Sequence, residues 1–273
     1  QEPDEFTRRI RSAVGRSLPL LEIASAETAR RRQCFTCHGQ ALPTVVLTEA
    51  SKHGFHVDTR NLQRQLDHTY AHLERSTKKY ADGRGTGGQV DTAGWALWGL
   101  EAGQREADVI TDPVVDYLLG KQQANGAWPC SRNRPPSEKS DFATSYLALR
   151  AFETFARQSH HARIVAAKEK AATWIAEAEP LDTEDRVFQL LSLPYVELHD
   201  QIEQRTEELI AEQRADGGWA QLSQLDSDAY ATATVLYALA EGGMEPTSDV
   251  YRRGIEYLLA QQLPDGSWHV VSR

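Results

Sequence analysis

Cysteine is scarce in this chain: three in 273 residues, at positions 34, 37 and 130. So few exclude a disulfide-stapled scaffold, which needs several bridges in a short chain. Positive charge is also short. Thirty Lys and Arg stand against 39 Asp and Glu, for a net charge of −9. That balance argues against nucleic acid, which calls for a basic face. No apolar run approaches the roughly 20 residues of a membrane-spanning helix. Alternating runs rich in Val, Ile and Thr are missing, so almost no strand is expected. Methionine occurs once, at Met244, and the chain opens on Gln1. An exported protein that has lost a signal peptide would look like this, and so would a product trimmed of a tag.

Two of the three cysteines fall within five residues, Cys34-Phe35-Thr36-Cys37-His38. C-x-x-C-H is the pattern of c-type haem attachment. Each thiol adds to one vinyl group, and the adjacent His38 becomes the proximal iron ligand. Covalent haem attachment in bacteria takes place outside the cytoplasm, so this reading and export support each other. Other readings stay open. Cys34 and Cys37 could form a redox disulfide, but that motif normally sits beside a βαβ unit, and none is evident. A zinc site takes four ligands, often as two pairs, and no second pair is present. Cys130 is left as a buried or free thiol.

Runs of Ala, Leu, Glu, Gln and Arg alternate with Gly, Pro and Asp turns along the chain. The spacing predicts helices over 4–15, 18–33, 41–53, 58–80, 90–103, 111–123, 141–157, 161–178, 183–194, 200–214, 227–241 and 248–262. Three segments repeat one another: YLLGKQQANGAW from Tyr117, LIAEQRADGGW from Leu209 and YLLAQQLPDGSW from Tyr257. A worn fourth, KAATWIAEAEP, has Glu179 in the Gln place and lacks the Gly and Trp. Apolar helices opening on Asp alternate with these segments, near Asp91, Asp141, Asp182 and Asp226 or Asp228. The unit is helix, Q-x-x-x-G-x-W loop, capped helix, recurring at roughly 40–50 residues. Gln can bond helix-end carbonyls, Gly closes the helix in a left-handed turn, Trp folds over that turn, and Asp caps the next helix. One such pair cannot bury its apolar face alone, so the pairs must stack.

This repeat resembles the QW motif of the squalene-hopene and oxidosqualene cyclases, and of the wider terpenoid-cyclase and protein-prenyltransferase superfamily. RRGIEYLLAQQLPDGSW keeps the motif most fully. The resemblance covers roughly 58–270 and implies an all-α fold, an α/α toroid of stacked helical hairpins. The expected organisation is a single toroid domain over 1–273, with an N-terminal hairpin carrying CxxCH in 1–57 and the repeats in 58–273. Residues 111–123, 161–178, 200–214 and 248–262 would be outer helices. Residues 90–103, 141–157, 183–194 and 227–241 would be inner ones. No inner helix follows 248–262, and 4–15 is the candidate to fill that place.

The resemblance does not carry the family's chemistry with it. Class II cyclases protonate a polyene with an Asp of a DxDD motif. Here the matching stretch is Asp226-Ser227-Asp228-Ala229, without the third acid. Asp226 and Asp228 are catalytic candidates, but both also suit helix capping. The prenyltransferase zinc set of Asp, Cys and His cannot be assembled. The toroid places the Gln–Gly–Trp loops and CxxCH on one face. His269, next to Trp268, lies on it and is the candidate second iron ligand, against an open or water-bound site. Met244, His53, His56, His160, His161 and His199 fall at the other end. His68 and His72 are expected to be a solvated or packing pair. Two long loops share the CxxCH face, and their Arg84, Arg132 and Arg134 are candidates for pairing haem propionates. Three functions follow as expectations. One is an exported haem c carrier with a redox partner protein. The second is a haem-dependent oxidoreductase. The third is a haem-free toroid holding an isoprenoid-like, small apolar or peptide ligand, with Cys34 and Cys37 as a disulfide or redox thiol pair.

Overall fold

The alternation of exposed and fully apolar helical segments becomes two rings of helices. The computed structural model describes residues 4–33 and 35–273. Its α-helices are α1 (Glu5–Arg31), α2 (Leu42–Lys52), α3 (Thr59–Ala81), α4 (Gln89–Ala102), α5 (Asp112–Lys121), α6 (Asp141–Phe155), α7 (His161–Glu177), α8 (Thr183–Ser192), α9 (Ile202–Ala211), α10 (Ala229–Glu241) and α11 (Asp249–Gln261). No strand occurs among the described residues beyond isolated bridges. In α4 every residue from Val90 to Leu100 is buried, whereas α9 buries only Leu209 and α11 only Gly254 and Tyr257. A helix apolar on all sides must be enclosed, and an amphipathic one can face water. The inner helices accordingly pack in sequence, α2 on α4, α4 on α6, α6 on α8 and α8 on α10. Outside them, α1 lies beside α3, α3 beside α5, α5 beside α7, and α11 beside α1.

The Gln–Gly–Trp loops do more than end their own helices. Gln122 Nε2 donates to Gly126 O at 2.9 Å, within its loop, and to Ala167 O of α7 at 2.7 Å. Gln213 does the same to Gly217 O (2.9 Å) and to Val250 O of α11 (2.8 Å). Gln262 donates to Gly266 O (3.0 Å) and to Ala13 O of α1 (2.9 Å). The last repeat thus grips the first helix as the others grip their successors, and the outer wall closes. Each loop's indole also donates back to its own helix, Trp128 to Leu118 O at 2.7 Å, Trp219 to Leu209 O at 2.7 Å and Trp268 to Leu258 O at 2.8 Å. In the worn repeat Gln189 of α8 takes over, bonding Ile175 O at 2.7 Å and Ala178 O at 3.3 Å. Gln262→Ala is expected to cost about 2 kcal/mol, two bonds to partly buried carbonyls, and to open α1 to limited proteolysis before any other helix.

Three expectations are corrected. Residues 4–15 and 18–33 form one helix, α1, with Pro19 inside it. The bond Pro19 cannot make belongs to the Gly15 carbonyl, and Pro19 is exposed, so water replaces it at little cost. Helix 4–15 therefore does not supply a sixth inner helix; it is outer wall. Asp91 and Asp141 are not the caps of their helices. Gly88, in a left-handed conformation, precedes α4, and the Ser140 hydroxyl caps α6 by accepting from Ala143 N at 3.1 Å. Both acids are thereby free to hold other groups.

Candidate functional site

The Gln–Gly–Trp loops after α5 and α9 run from an outer to an inner helix, so α6, α10 and their neighbours α4 and α8 open on one face of the ring. The turn into α2 lies on the same face. There Cys37–Ala41 forms a single π-helical turn, closed by Leu42 N on Cys37 O. Cys37 is buried and His38 is exposed. Gly39 is required by contact: a Cβ would lie 2.7 Å from Thr36 Oγ1 and 2.8 Å from Thr28 Oγ1. Cys34, the other half of the motif, lies outside the described residues.

The loop 129–139 covers this turn. The Ser137 hydroxyl hydrogen-bonds His38 Nε2, and Glu138 lies buried beside the Cys37 thiol. Asp91 completes the cluster, with both carboxylate oxygens 3.7 Å from Cys130 Sγ. Asp141 secures the loop by accepting from Cys130 N at 2.7 Å. Burial first, then the neighbouring acids Glu138 and Asp91, pushes the Cys37 thiol far above its ordinary value. Burial and Asp91 raise Cys130 likewise. Both are therefore thiols and not thiolates at neutral pH. Burial, reinforced by Glu138, raises Asp91 to about 6. No group of three or more His, Cys, Asp or Glu side chains among the described residues could hold a metal ion.

A second acid lies deeper in the same mouth. Glu184, in the first turn of α8, is 2% exposed. Its Oε1 accepts from the Tyr230 hydroxyl of α10 at 2.9 Å, and its Oε2 has no hydrogen-bond partner among the described residues. Burial holds its carboxyl up at about 8, against the lowering effect of Tyr230. A proton therefore resides on Glu184 at neutral pH. The Ser137 hydroxyl that meets His38 also lies beside the Tyr230 phenol. His38, Ser137, Tyr230 and Glu184 thus form a polar line from the surface into the ring. At its inner end comes the segment 269–273, whose Arg273 faces Glu184 and Tyr230 and pairs with Asp182, the cap of α8, at 3.1 Å.

The candidates from the sequence are only partly brought together. Cys37 and His38 are at the mouth. Arg84 and Arg132 meet, with Lys79, around a crevice of about 370 Å³ between the loops 81–89 and 129–139. Arg84 also pairs with Asp82 at 2.8 Å. Arg134 is exposed, 3.6 Å from Glu138. His269 is exposed at the start of segment 269–273 and makes no hydrogen bond or ion pair with His38. Asp228 caps α10 through Ala231 N at 3.0 Å and accepts from Gln221 at 3.0 Å. Asp226 is exposed in the preceding loop.

His72 is buried against the motif, its Nδ1 accepting from Phe35 N at 3.4 Å. Burial lowers it to about 4, so it is neutral. An accepting Nδ1 puts the proton on Nε2, which suits donation and not metal binding. Ser137, Glu138, Glu184, Tyr230 and Arg273 were not singled out from the sequence. The signal for Glu184 was present, an acid two places after a capping Asp in an apolar helix. The others depend on where the loop 129–139 and the segment 269–273 come to lie.

Below the mouth the inner helices present aromatic rings to one another. Trp95 and Trp98 stack at 4.9 Å, and Tyr146 meets Trp98, Phe188 and Tyr195. At the far end Arg150 forks onto Glu101 at 2.7 and 2.8 Å and covers Trp98 at 4.7 Å.

No protein-family model matches the chain, and no curated protein matches it. Among solved structures it resembles the type II terpene cyclase MstE from Scytonema, determined in complex with its substrate geranylgeranyl dihydroxybenzoate. The match has a TM-score of 0.58 and 15% identity, and covers 96% of this chain and 81% of that one. At that identity the likeness is one of fold, and this chain has the all-α toroid fold of the terpene cyclases.

Proposed function

We propose that the chain is an exported c-type haem protein built on a terpenoid-cyclase-like scaffold. Cys34 and Cys37 would hold the haem covalently, and His38 would be its proximal ligand. The role would be electron transfer to a partner protein or haem-dependent redox chemistry. The supporting observation is that Cys37 and His38 stand at the mouth under the same two residues, Ser137 and Glu138. One displaced segment would free both groups. The donor set fits in kind, a thiol and an imidazole on one side of a turn. The space beside them is filled by residues 137–138, so loading is expected to lift that segment. Lys79, Arg84 and Arg132 in the neighbouring crevice would hold propionates. A haem bound there would supply one-electron redox chemistry. His38 would release Ser137, and Ser137 would remain beside Tyr230.

The test is intact mass and visible spectrum of protein made in a host with cytochrome c maturation. The expected result is a gain of one haem that survives denaturation and is lost in Cys34→Ala/Cys37→Ala. A colourless protein of bare polypeptide mass sinks this reading.

The terpene-cyclase likeness favours a second reading, a haem-free toroid for a small apolar, isoprenoid-like ligand, with Cys34 and Cys37 as a thiol pair. The aromatic inner helices and the proton on Glu184 support it. They speak less for cyclisation, because an acid held near 8 keeps its proton too firmly to give it to an alkene. Asp228 is already occupied as a cap. Under this reading the protein is colourless, and a geranylgeranyl-bearing probe raises Tm by an amount that grows with the logarithm of its concentration above Kd.

A further inference from the structure

We infer that residues 269–273 form a strap that seals the Glu184–Tyr230 pair from solvent and is held shut by the contact between Arg273 and Asp182. This does not rest on the haem reading. The segment leaves Trp268, the last residue anchored to α11, and crosses the N-termini of α10 and α8 without helical structure. Gln221 of the preceding loop, 1% exposed, grips it twice. Gln221 Nε2 donates to Val271 O at 3.0 Å, and Arg273 N donates to Gln221 Oε1 at 3.1 Å. The Arg273 side chain then enters the mouth, where it is 1% exposed.

Two features mark the strap as releasable. First, it buries little of itself: His269, Val271 and Ser272 are exposed. Second, its anchor is poorly satisfied. Arg273 Nη2 lies 3.1 Å from Asp182 Oδ2, yet among the described residues Nε, Nη1 and Nη2 have no hydrogen-bond partner. A guanidinium with five donors, sealed from water on one off-axis contact, keeps most of its desolvation cost. Rehydration in an open strap recovers it. The groups facing Arg273 and Glu184 are Asp182 and Asp185 of α8 and Tyr230 of α10, with Lys139 near Asp182. None supplies the missing acceptors. The strap is therefore held shut only lightly, with Glu184 sealed in the closed state and exposed in the open one.

Dicyclohexylcarbodiimide tests this on the full chain. It is an apolar reagent that adds to a protonated carboxyl, and labelling at Glu184 is read by peptide mass. Wild type is expected to label slowly. Arg273→Ala and a chain lacking 269–273 should label roughly tenfold faster, the change of about one decade expected when a local closure is lost. Glu184→Gln abolishes the label. Equal rates in wild type and in both variants, with helical circular dichroism unchanged, would overturn the strap, as would rapid labelling of the wild type. Should Arg273→Ala lose its fold, Asp182→Asn decides. It keeps the α8 cap, removes the charge, and must release Glu184 in the same way.

Discussion

Gly126→Ala is expected to destabilise the protein by at least ~3 kcal/mol, the combined scale of left-handed strain and a clash that the packing cannot absorb. Gly126 sits at φ +101° in the loop between α5 and α6. A Cβ there would lie 2.2 Å from Lys170 O on α7. A backbone carbonyl inside a helix cannot step aside, so α7 must move. That movement breaks the 2.7 Å bond from Gln122 to Ala167 and uncovers Trp128, which is fully buried. Gly243 is the control. It has a similar φ, +91°, but nothing lies within 4 Å of an added Cβ. Gly243→Ala should cost only about 1 kcal/mol, the strain alone. Urea unfolding of the pair separates the two causes. Equal losses would mean that helix contact contributes nothing and that the loop only needs the conformation.

Glu184→Gln should make the protein more stable than wild type at pH 9, by on the order of 5 kcal/mol, since each tenfold change in proton affinity on folding is worth about 1.4 kcal/mol. The carboxyl is held at about 8 in the folded chain, from an ordinary 4.5. Below 4.5 both states carry the proton and the group adds no pH dependence. Between 4.5 and 8 the unfolded chain gives its proton up and the folded chain keeps it, so stability falls as pH rises. Above 8 the loss is complete. Gln is neutral throughout and can still accept from Tyr230, so its stability curve should lack that fall. Parallel curves for variant and wild type from about pH 5 to 9 would show Glu184 ionised in the fold. Asp91, raised to about 6, adds a smaller fall over the lower part of the same range.

The helices were legible because their causes are local. Each full repeat carries a Gly in a left-handed turn within the loop after its outer helix, Gly126, Gly217 and Gly266, and the inner helices α4, α6 and α10 are apolar over most of their length. The expected boundaries of the later helices match the structure within about three residues, the usual uncertainty where helix ends fray. Ring order followed too, since a fully apolar helix must lie inside. The expected break at 16–17 is absent although Pro19 lies just beyond it, because proline breaks a helix only where the lost bond matters. On an exposed face, with Gly15 open to water, it does not. Asp91 misled because capping was inferred from an acid near a helix start. Gly88 made that turn without it, and the carboxylate was free to reach Cys130.

The CxxCH motif shows the division most clearly. Its presence and its place in an outer-to-inner connection are properties of the sequence. That His38 meets Ser137, that Cys37 lies under Glu138, and that a line of polar groups runs on to Glu184 all depend on a loop 99 positions away from His38 folding over the turn. The closure of the outer wall has the same character. Gln262 is recognisable as a motif residue, but its bond to Ala13 spans 249 positions. Helix type, periodicity and turn chemistry are set by neighbours within a few residues, so they can be read along the chain. The buried acid, its proton and the arginine laid over it arise from desolvation. Desolvation is a property of everything packed around a group, and only the closed ring decides it.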